Sequence, residues 1–124
     1  MILQNATRSA SVNGVTPLWN NGTIVFKTSA GTTIVTVTVG VSAFPSATNG
    51  VSTALQASFA AATAVATGVV DRYEVFTSGS VSVCTGTVGL SGAIPTPDFI
   101  FTDTSFNTSD ILQITGITYT QPAT

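Results

Sequence analysis

The run TTIVTVTV at residues 32–39 constrains the fold more than any other stretch of this chain. Successive side chains of a strand point to opposite faces, so the valines of this run share one face while Thr36 and Thr38 share the other. β-Branched residues crowd the preceding turn of a helix but fit well on a pleated sheet. The run therefore predicts a β-strand with one apolar and one hydroxyl-bearing face.

Similar runs recur along the chain and are separated by turn residues. Candidate strands lie at residues 23–28, 72–77, 81–88, 99–101 and 111–119. Two of them change parity at Gly86 and at Gly116, which predicts a β-bulge near each glycine. Residues 52–66 fit either a short helix followed by a strand or, preferably, two strands joined by a loose turn.

These runs and turns together predict an all-β fold, an antiparallel β-sandwich or jelly roll of seven or eight strands. Residues 23–124 would form the single sandwich domain. Residues 1–22 would form an extended N-terminal arm and the turn that leads into the sheet.

The stretch VCTGTVGLSG at residues 83–92 carries a GxxGxxG spacing that invites comparison with a phosphate-binding loop. Such a loop needs a helix directly after its glycines, with its N-terminus facing the phosphate. Here AIPTP follows, and no Lys-Ser/Thr pair is present. We interpret the stretch as a bulged strand and the turn at its end.

The composition leaves few groups that could perform chemistry. Charged residues make up 6% of the chain, there is no histidine, and only three side chains are basic. Nucleic-acid binding needs several Lys or Arg on one face, and an anionic membrane needs a polybasic segment. We therefore expect no nucleic-acid or membrane partner, no enzyme activity, no catalytic residue and no bound cofactor.

The lone cysteine, Cys84, excludes an intrachain disulfide and lies in an apolar run with no cationic neighbour. We expect a buried, unreactive thiol. The first residues show neither the basic region nor the apolar core of a signal peptide, and no apolar run is long enough to span a bilayer. The expected location is the cytoplasm in which the chain is made.

Three acids, Asp98, Asp103 and Asp110, lie close together in sequence. Weak metal binding or a glycosidase-type carboxylate pair stays open, but the spacing of an EF-hand loop is absent. The preferred interpretation is that the acids solvate turns and protect strand edges, so no metal site is expected.

Two features could contact a partner. Trp19, the sole tryptophan, is a candidate for core packing and also for an interface anchor. The N-terminal segment, with Ile2 and Leu3, is a short apolar stretch that could add to the sheet edge of another protein.

The chain resembles the small head-decoration, or cement, proteins of tailed bacteriophages. The resemblance lies in MILQ leading to Arg8, NGTIVFKT at 21–28, SAFP and NGV at 42–51, GTVGLSG at 86–92, and TYTQP at 118–122. It covers nearly the whole chain. The chain departs from the pattern at residues 9–20, where such proteins look more helical, and at residues 93–94.

The resemblance implies a structural virion protein that binds the outer capsid surface, assembled in the host cytoplasm. Its partner would be the major capsid protein, and it would form a homo-oligomer, with a trimer as the expected state. Partner contacts would then involve Ile2, Leu3, Arg8 and Trp19. The alternatives are a tail or receptor-binding accessory module of a phage and, with less support, a carbohydrate-binding sandwich.

Overall fold

The computed structural model describes residues 1–122. Within them the chain forms one α-helix, two short 3-10 helices (Thr16–Trp19 and Gln56–Ser58) and eleven strands. The helix and strands are α1 (Asn5–Val15), β1 (Thr23–Lys27), β2 (Thr33–Thr38), β3 (Val51–Leu55), β4 (Ala62–Thr63), β5 (Gly68–Val69), β6 (Arg72–Phe76), β7 (Ser82–Leu90), β8 (Phe99–Phe101), β9 (Ser105–Phe106), β10 (Ile111–Leu112) and β11 (Gly116–Thr120). No helix among these residues is both long and apolar enough to cross a bilayer.

The largest sheet has five strands in the order β2-β1-β6-β7-β8. Its first three pairings are antiparallel, whereas β8 runs parallel to β7. The remaining strands form three antiparallel pairs, β10 with β4, β11 with β3, and β5 with β9. The predicted all-β class is confirmed, with a mixture of parallel and antiparallel pairing and more, shorter strands than expected.

The core lies on one face of the five-stranded sheet, as the alternation predicts. Ile24 and Phe26 of β1 are fully buried, as is Val75 of β6. The Phe26 ring is the centre of an aromatic cluster, with centroids 5.6 Å from Phe99 and 5.3 Å from Phe101. Because β8 supplies both phenylalanines, the core holds this edge strand in place.

The bulges do not lie where the glycines predict them. The extra residue in the β1–β2 ladder is Ile34, and the one in the β6–β7 ladder is Val83. Gly86 pairs in regular register with Tyr73, so the bulge prediction there is wrong by three residues.

The predicted strand at 111–119 is also wrong, because it is two strands, β10 and β11, with different partners. Gly116 begins the second of them. The parity change in the sequence therefore marks a chain that leaves one strand pair and joins another.

The predicted extended arm is largely helical. α1 and the 3-10 helix that follows it occupy Asn5–Trp19, and only residues 1–4 precede them. The helix is rich in Asn and Ser and would be weak alone, so docking must stabilise it. Val12 is fully buried, the Arg8 Nε donates to the Gln121 carbonyl at 2.9 Å, and the Ser9 hydroxyl accepts from the Gly50 N–H at 3.0 Å.

Residues 52–66 follow the preferred alternative of the sequence analysis. They contain most of β3, a single 3-10 turn and β4. Ser52 and Ala54 of β3 are buried, while Val51, Thr53 and Leu55 are exposed, which is strand alternation. Leu55 and Phe59 therefore do not share a helix face.

Candidate functional site

The face of the five-stranded sheet that points away from the core carries most of its polar side chains. We call this surface the outer sheet face. Ladder register places its members opposite one another across four strands: Thr36 and Thr38 of β2, Thr23, Val25 and Lys27 of β1, Arg72, Glu74 and Phe76 of β6, and Thr85 and Thr87 of β7. Thr36, Thr38, Thr85 and Thr87 are exposed, whereas Thr23, on a central strand, is half-buried.

An ion pair lies at the centre of the outer sheet face. The Lys27 Nζ is 3.0 Å from the Glu74 Oε1, and the Ser82 hydroxyl donates to the Glu74 Oε2 at 2.6 Å. These hydrogen bonds, led by that from Ser82, lower the pKa of Glu74. Both charges are thus satisfied within the sheet, so this part of the face offers a partner hydroxyl groups rather than free charge.

A shallow cavity of about 530 Å³ lies over this ion pair, and its rim includes Arg72 and Thr85. Arg72 approaches the neighbouring Asp71 carboxylate at 3.4 Å, and both side chains are well exposed. An exposed pair of this kind contributes little to stability. The exposed threonine hydroxyls of β2 and β7 can donate and accept hydrogen bonds on this surface.

The glycine-rich stretch has a packing role on the opposite side of β7. The Tyr73 hydroxyl donates to the Asp98 Oδ2 at 3.4 Å, and the Thr87 N–H donates to the same oxygen at 3.2 Å. A side chain at Gly86 would overlap the Asp98 carboxylate and the Tyr73 ring. Strand β7 runs through this glycine to Leu90, and a turn follows rather than a helix, which confirms the strand-and-turn interpretation.

Ionisable groups beside this contact are made less reactive by their surroundings. Burial raises the pKa of Tyr73 far above its usual value, and the Asp98 charge adds to the effect. Burial also raises the pKa of the half-buried Cys84 thiol. The thiolate that a catalytic cysteine needs is therefore disfavoured.

Two of the three acids of the sequence analysis make local hydrogen bonds, whereas Asp98 accepts from Tyr73 and Thr87, which are distant in sequence. The Asp103 Oδ1 accepts from the Ser105 N–H at 2.9 Å, and the Asp110 Oδ2 accepts from the Asn107 N–H at 2.8 Å. Within residues 1–122, no three Asp, Glu, His or Cys side chains converge in a way that could hold a metal ion. Asp103 and Asp110 shape turns, in agreement with the preferred interpretation.

The four predicted contact residues occupy different environments. Ile2 is 71% exposed, Leu3 is half-buried, and the half-buried Arg8 is directed at the Gln121 carbonyl. Trp19 is only 3% exposed, and its ring packs edge-on against that of Phe44, with the ring centroids 5.3 Å apart. Trp19 is thus packed in the core of the single chain, which favours the core-packing alternative, while Ile2 is open to a partner.

No known family, curated protein or solved structure matches this chain.

Sequence reasoning missed the outer sheet face as a unit. The alternation places Thr36 with Thr38, and Arg72 with Glu74, but it does not reveal which strands are neighbours. Lys27 and Glu74 are 47 residues apart. A search for oppositely charged residues on the polar faces of two predicted strands would have suggested this pair.

Proposed function

We propose that this chain is a structural virion protein that binds the outside of a bacteriophage head and stabilises it. The proposal takes the phage context from the sequence resemblance. The observation that carries the binding role is the outer sheet face, a surface rich in hydroxyl groups whose central charges neutralise each other.

The physical chemistry of that surface suits attachment to a protein shell. Hydroxyl groups can exchange water for a partner's backbone groups without the large desolvation cost of a free charge. A shell repeats one binding site many times, so modest contacts per copy suffice if the bound protein is also linked to its neighbours. The major capsid protein is the proposed partner.

The surroundings of the reactive side chains support a structural role over a catalytic one. The Cys84 thiol has a raised pKa, and the acidic Glu74 is held by Lys27 and Ser82. A carbohydrate-binding role has less support because stacking on sugars needs exposed aromatic rings. Trp19 is buried and Tyr73 is half-buried beneath Asp98.

The test is co-sedimentation of the purified chain with heads of the encoding phage from which the endogenous protein has been removed. Thr36→Lys places a bulky charge on the exposed edge of the outer sheet face. Thr53→Lys makes the same change on β3, where Thr53 is also exposed. We expect Thr36→Lys to weaken binding about tenfold, equivalent to about 1.4 kcal/mol, while Thr53→Lys binds as the unmodified chain does.

Two results would overturn the proposal. One is an unmodified chain that fails to bind heads. The other is binding confined to tails, which would favour the tail-module alternative. Equal binding by the two lysine variants would remove the outer sheet face from the account and leave the attachment surface elsewhere.

A further inference from the structure

Two strands leave an edge without a partner on either side of one groove. β8 is the last strand of the five-stranded sheet, and within residues 1–122 β11 pairs with β3 and with no other strand. They line two adjoining cavities of about 510 and 480 Å³, which share Phe99, Ile100 and Gly116. We call this depression the β8–β11 groove.

Hydrogen-bond register shows which backbone groups face the groove from β11. The Gln121 N–H donates to the Gly50 carbonyl at 2.9 Å, so this residue directs its backbone groups at the β3 side. The backbone N–H and carbonyl groups of successive strand residues point to alternate sides of the strand. Thr118 and Thr120 therefore point theirs away from β3. No other strand within residues 1–122 pairs with them.

The same reasoning applies to β8. The Val88 N–H donates to the Asp71 carbonyl on the β6 side, so Gly89 directs its backbone groups at β8. In the parallel ladder Gly89 is opposite Ile100. In a parallel ladder, when one residue of such a pair directs its backbone groups at the neighbouring strand, the residue opposite it directs its N–H and carbonyl away from that strand. The N–H and carbonyl of Ile100 therefore face the groove.

The groove lining shows how the two edges run. One cavity joins residues 98–100 to residues 116–120, and the other joins residues 99–106 to residues 110–116. β8 and β11 therefore run in opposite directions across the groove. A strand laid between them would be parallel to one and antiparallel to the other, and would contact apolar side chains such as Phe101 and Tyr119.

We propose that the groove accepts residues 1–4 of a second copy of this chain as an added strand. Each copy would donate its N-terminal segment to one neighbour and accept a segment from another. Such a head-to-tail contact closes into a ring when the rotation between copies permits it. The inference concerns contacts between copies and holds whether or not the chain binds a phage head.

Residues 1–4 suit the groove in exposure, conformation and charge. Met1 is fully exposed and Ile2 is 71% exposed, so their apolar side chains lack cover in the single chain. Gln4 already has extended backbone angles, φ −72° and ψ 158°, which lowers the cost of ordering the segment. The four side chains of this segment are uncharged, so the groove can take them without burying a charged side chain.

The length of the segment also fits. Four residues of strand span about 13 Å at roughly 3.3 Å per residue. β8 is three residues long and β11 is five, so the segment can pair along the whole of β8. Edge pairing gives main-chain hydrogen bonds, and side-chain contacts with the groove supply selectivity.

Two measurements test the proposal. The first is the molar mass of the full chain in solution by light scattering after size exclusion. We expect an oligomer that dissociates when residues 1–4 are removed and when Thr118→Pro deletes a groove-facing N–H. Thr53→Pro is the matched control. Thr53 is opposite Thr118 in the β3–β11 ladder, so its N–H points away from β11 and from the groove, and this variant should leave the oligomer intact.

The second measurement identifies the donor and the acceptor. In chains whose own cysteine is replaced by Cys84→Ser, one population carries Ile2→Cys and the other carries Thr118→Cys. Mixing and mild oxidation should give a disulfide between the two populations and none within either alone. Circular dichroism of each variant confirms that it is folded.

Three results would overturn the proposal. They are a monomeric unmodified chain at all concentrations tested, an oligomer that survives removal of residues 1–4, and the absence of a disulfide between the mixed populations when a third population, in which each chain carries both Ile2→Cys and Thr118→Cys, forms one within its own chain. The last result would mean that the segment fills the groove of its own chain.

Discussion

Replacing Gly86 by alanine tests the packing role assigned to the glycine-rich stretch. The new Cβ would overlap the Asp98 carboxylate and would lie 2.5 Å from the Tyr73 Cε1 and 2.7 Å from its hydroxyl oxygen. Asp98 is exposed and can swing away, but the Tyr73 ring packs edge-on against Phe99 with centroids 4.7 Å apart. The ring must therefore shift within the core.

The expected loss of folding stability follows from the cost of overpacking the core. Extra methyl groups in a well-packed core cost about 1–3 kcal/mol. Unfolding entropy of about 2.1 cal/mol/K per residue converts 1 kcal/mol into about 4 °C for this chain of 124 residues. We therefore expect Gly86→Ala to lower the melting temperature by about 4–12 °C.

Gly14→Ala is the matched control, because nothing lies within 4 Å of a Cβ at that helical position. Alanine is the better helix former by about 0.5–1 kcal/mol, so Tm should rise slightly. Thermal unfolding followed by circular dichroism and by calorimetry measures both variants. A Gly86→Ala protein as stable as the unmodified chain would refute the assigned packing.

Three further predictions concern single side chains. The pKa of Glu74 is lowered in the folded state, chiefly by the hydrogen bond from Ser82, so the contribution of this carboxylate to folding stability is complete above its unfolded pKa of about 4.3 and is lost as the pH falls through the lower folded pKa. In Glu74→Gln, the urea-unfolding midpoint should therefore fall less steeply with decreasing pH. An unchanged slope would contradict this prediction. Arg8→Ala removes the hydrogen bond to the Gln121 carbonyl and should lower the free energy of unfolding by about 1–2 kcal/mol. Amide hydrogen exchange should become faster in α1 than in the five-stranded sheet. An equal increase in exchange in both regions would count against the docking of α1 described above. The raised pKa of Cys84 should make the folded thiol react with a disulfide reagent at pH 7 more slowly than the unfolded thiol does in urea, whereas equal rates would show an open, reactive thiol.

Local alternation was enough to predict the faces of the central strands. Ile24 and Phe26 point to the core, and Arg72 and Glu74 point outward, because strand parity depends only on neighbouring residues. The same parity was misleading at Gly116. A change of phase has the same appearance in sequence whether the strand bulges or ends and changes partner.

The features that sequence reasoning missed depend on tertiary contacts. α1 contains asparagine, serine and glycine, which favour caps and turns over helix interiors. Its formation depends on burial of Val12 and on the bond from Arg8 to a residue 113 positions away. The β8–β11 groove was equally hidden, because strand order determines which edges remain unpaired.

The proposed function assigns this chain to a phage head, and its most direct test is a cryo-EM reconstruction of heads of the proposed source phage. We expect density for the five-stranded sheet on the outer shell, repeated where capsid subunits meet, with the outer sheet face against the shell. A reconstruction in which the chain is absent from the head, or is present only at the tail, would contradict it.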